Sequence, residues 1–280
     1  MIVLSDAALD ALLAQDVPYG DLTTDSLGIA AVPARIRFAA RGAMVLAGTE
    51  EAARLIGKAG ATVSSVRPSG TAVEAGAVFL EGEGSAGALH RAWKVAQTLV
   101  EYASGIATRA RRIVDAARPV GGGGATVACT RKNFPGAKDL SVKAVLAGGA
   151  VMHRLGLSET LLVFPEHRAF LPGPPEDWIA ALRRKAPEKK IVVEVESVEQ
   201  AIALARAGAD VIQLEKRSPA EARAVVEATR GLNPAPVIAA AGGVTEENAA
   251  AYAAAGCPLL VTTAPFFGRP ADVKVTLEPA

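Results

Sequence analysis

Guanidinium groups, carboxylates and bare glycines recur at the ends of short apolar runs in the second half of this sequence. Arg131 and Lys132 follow the run Thr126–Thr130, and Glu166, His167 and Arg168 follow Leu161–Phe164. Glu194 falls within Ile191–Val195, with Glu196 just after it, and Glu215 and Lys216 follow Val211–Leu214. Gly242 and Gly243 come after Val237–Ala240, and Thr263 after Leu259–Thr262. Packing does not require charge at such positions, so the repetition points to a ligand-binding rim. Between Arg131 and Arg168 there are six Lys/Arg against three Asp/Glu, plus His153 and His167, whereas the whole chain carries 30 Lys/Arg against 29 Asp/Glu. A concentrated cationic mouth on a near-neutral protein suits a small polyanion, and the balance gives no overall field for nucleic acid or an acidic membrane. Gly242-Gly243, ahead of a helix expected at Thr245, suits phosphate, because bare backbone N–H groups and a helix N-terminus both favour anions. Glu194 and Glu215 supply the opposite charge. Carboxylates among cations either hold Mg²⁺ on a diphosphate or stabilise a developing oxocarbenium ion, and the sequence leaves both open. A Schiff-base lysine at Lys132 or Lys143 is a further option, although nothing in the sequence desolvates either amine. There is no Ser-His-Asp, Cys-His or HExxH arrangement.

The elements that must position these residues follow from the same runs. Six strand-like segments alternating with helical ones imply a parallel sheet with right-handed crossovers, closed or nearly closed, whose working residues sit at the C-terminal strand ends. Ser218-Pro219-Ala220-Glu221 reads as a capping box with proline at the first helical position, and Ser197 to Gln200 has the same spacing. Gly208 and Gly256 read as helix ends. The first hundred residues are mixed: helices at Ser5–Ala14 and Thr49–Ala59, strands at Ala34–Gly42 and Ala77–Glu81, then helices at Ala88–Ser104 and Thr108–Ala117 before a hinge at Gly121–Gly124. The expected division is an N-terminal α/β, sandwich-like domain over 1–107 and a β/α barrel over 108–267. Residues 268–280, alternating as Val273, Val275 and Leu277, are expected to return to the first domain. Cys129 and Cys257, in apolar settings without metal or redox spacing, read as reduced core residues. MIVLSDAALD lacks a basic signal region. The longest apolar stretch, Ala249 to Phe267, is interrupted by Gly256, Pro258 and threonines, so no membrane span and a cytoplasmic setting are expected.

At this point the residues resemble a known family. Thr130-Arg131-Lys132 with Pro135-Gly136, then Gly148-Gly149 and His153-Arg154-Leu155-Gly156-Leu157-Ser158, resemble the TRK–PG–GG–HRLGLS stretch of quinolinate phosphoribosyltransferases. Asp16-Val17-Pro18-Tyr19-Gly20-Asp21-Leu22-Thr23 and Ser104-Gly105-Ile106-Ala107-Thr108 are similar to that family's opening and linker motifs. The resemblance implies an incomplete, open parallel barrel and a nicotinate-nucleotide diphosphorylase-like activity of the kind used in NAD biosynthesis. That is transfer of a phosphoribosyl group from phosphoribosyl pyrophosphate to a small aromatic carboxylate, with Mg²⁺ and release of pyrophosphate. By the same resemblance Arg131, His153 and Arg154 grip the carboxylates, with Lys94 standing where the family has arginine. Lys132, Glu194 and Glu215 are the candidate catalytic residues, the two glutamates facing ribose and Mg²⁺. Gly242, Gly243 and Thr263 are the candidate phosphate positions. A homodimer whose partner completes each site is also implied.

Departures from the family pattern mark a side branch. Phe164 replaces a lysine, Glu215-Lys216 an Asp-Asn, Ala241 a serine, Thr263 a glycine, and Phe266-Phe267-Gly268 a Thr-His-Ser. Lysine at position 94 keeps the charge and loses the bidentate fork. Trp93–Gln97, Val163–His167 and Thr263–Phe267 resemble the ModD branch, named for an association with molybdenum transport. Several changes fall at phosphate-contacting positions. The alternative reading is therefore a non-catalytic anion- or nucleotide-binding protein on the same scaffold, linked to molybdenum uptake or metabolism.

Overall fold

A computed structural model describes residues 2–118 and 124–280. The expected hinge at Gly121–Gly124 therefore lies, except for Gly124, outside the described residues. The chain forms two compact units. One comprises Met1–Arg111, Asn133–Gly149 and Pro265–Ala280, and the other Arg112–Lys132 and Ala150–Ala264.

The first unit is a mixed helix and strand domain. Its four-stranded antiparallel sheet has the order Val273–Pro279, Pro33–Ala40, Val78–Ser85, Thr62–Val66. Along Pro33–Ala40 the side chains alternate across the sheet, so Ala34, Ile36, Phe38 and Ala40 are buried on one face. Phe38 meets Phe79 edge to face, with ring centroids 6.1 Å apart. In place of the two helices expected around Gly105 there is one continuous helix, Ala86–Ala116, of 31 residues. Gly105 does not break it. A Cβ there would lie 2.3 Å from the Arg269 carbonyl oxygen, so glycine lets the C-terminal segment approach the helix backbone. The helix Lys138–Ala147 carries Lys143, which is 2% exposed. Its Nζ lies 2.6 Å from Glu51 Oε2 and 2.9 Å from Glu50 Oε2. This ammonium is committed to buried ion pairs, so the lysine-nucleophile option loses Lys143.

The second unit is an open, curled half-barrel of seven parallel strands, numbered here within the unit. They are β1 (Thr126–Cys129), β2 (Val151–Met152), β3 (Leu161–Val163), β4 (Ile191–Val195), β5 (Val211–Glu215), β6 (Val237–Ala241) and β7 (Leu259–Thr262). Their spatial order is β2-β1-β7-β6-β5-β4-β3, which leaves β2 and β3 as edges. Six of the seven strands are legible as runs in the sequence, and the short β2 is not, because two residues beside the Gly148-Gly149 turn make no apolar run. Strand interiors are buried on both faces, which is why they read as continuous apolar segments. Alternate residues form one interior cluster of Leu162, Val192, Val211, Ala239, Ala241 and Val261. Capping fixes the crossover helices. Ser218 and Glu221 complete a reciprocal box before Pro219–Thr229, and Ser197 Oγ accepts from the Gln200 N–H before Val198–Arg206. No helix among the described residues is long and apolar enough to cross a membrane.

Candidate functional site

Because β1 to β7 run parallel, their C-terminal ends share one rim. The side-chain period of two decides what reaches it. On β5, Val211 belongs to the apolar interior cluster, and Gln213 and Glu215 follow it at the same parity. On β4, Glu194 follows Val192 in the same way. The interior thus turns from apolar to polar within four residues as the strands reach the rim. Gln213 is level with Glu194, and Glu215 with Ala241.

A cavity of about 210 Å³ at this rim is lined by Arg131, Lys132, His153 and Arg154 together with Glu194, Gln213 and Glu215. Leu162, Phe164, Ala241 and Val261 form its apolar wall. Six of the candidate residues named from sequence therefore meet in one place. A larger cavity of about 700 Å³ shares Arg131, Arg154 and Phe164 with it and continues along the Pro175–Lys185 helix to Trp178. Arg131 and Lys132 follow β1 directly. His153 follows β2 and donates its backbone N–H to the Cys129 carbonyl at 2.8 Å. Glu159 closes the next loop by accepting from the Leu155 N–H.

Burial and like charge govern the electrostatics. Arg154 is 7% exposed. Burial, and then the neighbouring Arg131, work against its charge and lower its pKa, while its guanidinium lies 5.7 Å from the Phe164 ring centroid. Burial and then Arg154 lower the pKa of His153, against a weaker opposing pull from Glu159. Such a pocket is short of negative charge. On the other side, burial raises the Glu194 carboxyl above its usual range. The Gln213 side-chain hydrogen bond opposes this, Glu215 and Glu166 add to it, and Lys132 offsets it. Gln213 Nε2 donates to Glu194 Oε2 at 2.7 Å.

The remaining candidates sit as follows. Gly242 and Gly243 have φ of +78° and +75°, a left-handed turn directly after β6. A Cβ on Gly242 would fall 2.8 Å from Glu215 Oε1 and from Lys216 Cγ, whereas one on Gly243 meets open space. The helix expected at Thr245 begins instead at Ala249 and runs only to Ala254. Asn248 explains the delay: its Oδ1 takes the Thr245 N–H at 2.9 Å and its Nδ2 donates to the Gly243 carbonyl at 2.9 Å, closing a turn first. Thr263 reaches the site through a 2.9 Å hydroxyl contact with Thr130. Lys94 belongs to the first unit, where its ammonium lies 4.9 Å from the Trp93 ring centroid and donates to Gln97 Oε1 at 3.2 Å. Lys216, at φ +52°, lies 3.7 Å from Glu215 Oε1 and is largely exposed. Arg168 donates to the Glu194 carbonyl at 3.2 Å. The sequence reading missed Gln213, which it absorbed into the apolar run Val211–Leu214. The available signal was its parity with Glu215. Cys129 and Cys257 are buried free thiols, which burial pushes up to about 12 and about 11.

Comparison with known proteins shows the family and the fold. The profile of the quinolinate phosphoribosyl transferase C-terminal domain matches residues 106–275, and that of the N-terminal domain matches 21–104. The ModD protein of Rhodobacter capsulatus is 49% identical over 255 residues, covering 89% of this chain and 96% of its own. The nicotinate-nucleotide pyrophosphorylase (carboxylating) of Mycobacterium leprae is 33% identical over 267 residues, covering 92% and 93%. Among solved structures, NadC from Streptococcus pyogenes superposes with a TM-score of 0.89 at 25% identity over the full length of both chains.

Proposed function

The chain belongs to the quinolinate phosphoribosyltransferase family, and from that premise we propose that it moves a phosphoribosyl group from phosphoribosyl pyrophosphate to a small aromatic carboxylate. The observation that carries this reading is the convergence of Arg131, His153 and Arg154 with Glu194 and Glu215 on one cavity at the strand ends. In it, the bond from ribose C1 to the pyrophosphate oxygen breaks with its electron pair on the leaving group. A ring nitrogen of the acceptor then forms the new bond to C1.

Arg131 and Arg154 hold the acceptor carboxylate, and the anion relieves the mutual repulsion that the two guanidiniums suffer when alone. His153, kept neutral by burial and by Arg154, offers a hydrogen bond without adding charge. Glu194 and Glu215 face the positive charge that develops at C1, in surroundings dry enough to strengthen the attraction. Lys132, which lines the same cavity, contacts the departing pyrophosphate. The left-handed turn at Gly242-Gly243 brings backbone close to the 5-phosphate, and Thr263, whose hydroxyl meets that of Thr130, offers it a further polar group.

Mg²⁺ fits this donor set. No cluster of three or more metal-ligating side chains occurs among the described residues. Mg²⁺ on a diphosphate, however, needs only one or two carboxylates, and Glu194 and Glu215 on the cavity wall provide two. When bound, Mg²⁺ would neutralise the pyrophosphate as its charge grows. The reading carries with it a homodimer that shares its sites, which sedimentation would detect. Calorimetric titration with phosphoribosyl pyrophosphate and Mg²⁺ tests the proposal. Saturable binding that weakens in Glu215→Gln supports it, and no binding by the wild type overturns it.

A further inference from the structure

Gln213 is a polar side chain of the cavity to which the proposed transfer gives no role. It is 4% exposed and lines the cavity alongside Glu194 and Glu215. One end of its amide is fixed, because Nε2 donates to Glu194 Oε2 at 2.7 Å, and a carboxylate there orients the amide with nitrogen toward it. The other end, Oε1, is shielded from solvent and has no hydrogen-bond partner among the described residues. A buried amide oxygen without a donor costs free energy, and native structures rarely leave one so. Thr130, Arg131, Lys132, His153 and Arg154 line the same cavity and carry donors, yet none of them bonds Oε1. Glu194 is already engaged at the amide nitrogen, and Leu162, Ala241 and Val261 have no polar side-chain atoms. Oε1 itself has almost no accessible area, so the missing donor is one that enters the cavity and turns the amide toward itself.

We propose that Gln213 is a specificity-determining residue of this site, with Oε1 accepting an O–H or N–H from the bound ligand while Nε2 holds Glu194. This inference rests on the phosphoribosyl-transfer reading for the identity of the sugar, though not for the geometry. Two sources of the donor share this chemistry: a ribose hydroxyl of the phosphosugar, and a hydroxyl or amine on the aromatic carboxylate. A pyridine dicarboxylate in its ionised form brings acceptors only. If the acceptor is the source, the natural substrate therefore carries a donor that quinolinate lacks.

The test compares wild type with Gln213→Met, whose side chain has similar volume and no amide, and with Gln213→Leu as a second apolar replacement. Circular dichroism checks that both variants fold. One arm measures binding of ribose 5-phosphate against 2-deoxyribose 5-phosphate. The other measures aromatic carboxylates in pairs, benzoate against salicylate and benzoate against anthranilate. In one arm the wild type should prefer the donor-bearing ligand by about 10- to 100-fold, the ratio expected when a buried acceptor is left unpaired. That preference should fall to near unity in both variants, and the arm in which it does so identifies the source. A residue that only held Glu194 in place would weaken both members of a pair equally. No preference in either arm, or a preference that survives in both variants, overturns the proposal. If the wild type binds neither phosphoribosyl pyrophosphate nor ribose 5-phosphate, the transfer reading fails on its own, and the carboxylate pairs alone decide the role of Gln213.

Discussion

Replacing Gly242 and Gly243 separately with alanine isolates the contact between the phosphate-side turn and Glu215. Both residues have positive φ, so each substitution forces an L-residue into the left-handed region, at about 1–2 kcal/mol. Only at Gly242 does the new Cβ also meet a side chain, 2.8 Å from Glu215 Oε1 and 2.8 Å from Lys216 Cγ. Glu215 Oε1 is the end of a flexible chain and Lys216 Cγ moves with χ1, and an off-rotamer shift adds about 0.5–1.5 kcal/mol. Gly242→Ala should therefore cost about 1.5–3.5 kcal/mol in all and Gly243→Ala about 1–2. In thermal unfolding of the free protein the first should melt several degrees below the second, at about 2–4 °C per kcal/mol for a chain of this size. Gly242→Ala should also reduce Mg²⁺-dependent pyrophosphate release at least tenfold, since it moves Glu215 out of place. Equal melting temperatures for the two variants would refute the packing of Glu215 against the turn, and with it the positioning role given to Gly242.

Three further outcomes follow from the same structure. Lys143→Met leaves Glu51, which is fully buried, without its counter-charge and should destabilise the protein by about 3–5 kcal/mol in urea unfolding; wild-type stability would contradict the buried pair. Burial alone would raise the Glu50 carboxyl, but the Ser69 hydroxyl, Lys143 and the Ser69 N–H together hold it down, at about 2. Its contribution is thus complete above the ordinary glutamate range and is lost as pH falls from about 4.5 toward 2. Glu50→Gln should flatten the urea midpoint over that window, and an unchanged acid profile would refute the assignment. Arg131→Ala should weaken aromatic carboxylate binding by about 30-fold or more, the scale for a charge-assisted contact in a shielded site, with circular dichroism unchanged. Wild-type affinity would remove Arg131 from the acceptor grip.

The half-barrel was legible because its strands are buried on both faces. Ile191–Val195 and Leu259–Thr262 are mostly apolar runs whose observed bounds match the expected ones, and the polar residues at their C-terminal ends, Glu194 and Thr262, mark the rim. Site residues on strand ends inherited that legibility: once β4 and β5 were located, the parity of Glu194 and Glu215 was fixed. What failed to show depends on contacts distant in sequence. The edge strand β2 exists only because β1 pairs with it. Gly105 serves the close approach of Arg269, which is 164 positions away in the chain, and does not mark a helix end. The late start of the Ala249–Ala254 helix is set by how the Asn248 side chain turns, and composition favoured Thr245 as the cap equally well. Gln213 went unnoticed because a single polar residue inside an apolar run looks like tolerated noise until its partners are known.

The account turns on opposite charges meeting in one cavity, and carboxylate-dependent release of pyrophosphate from phosphoribosyl pyrophosphate measures that directly. Wild type with Mg²⁺ and a panel of aromatic carboxylates should release pyrophosphate with at least one acceptor. Arg154→Ala should bind phosphoribosyl pyrophosphate normally yet release none. No release by wild type with any acceptor, or undiminished release by Arg154→Ala, would contradict it.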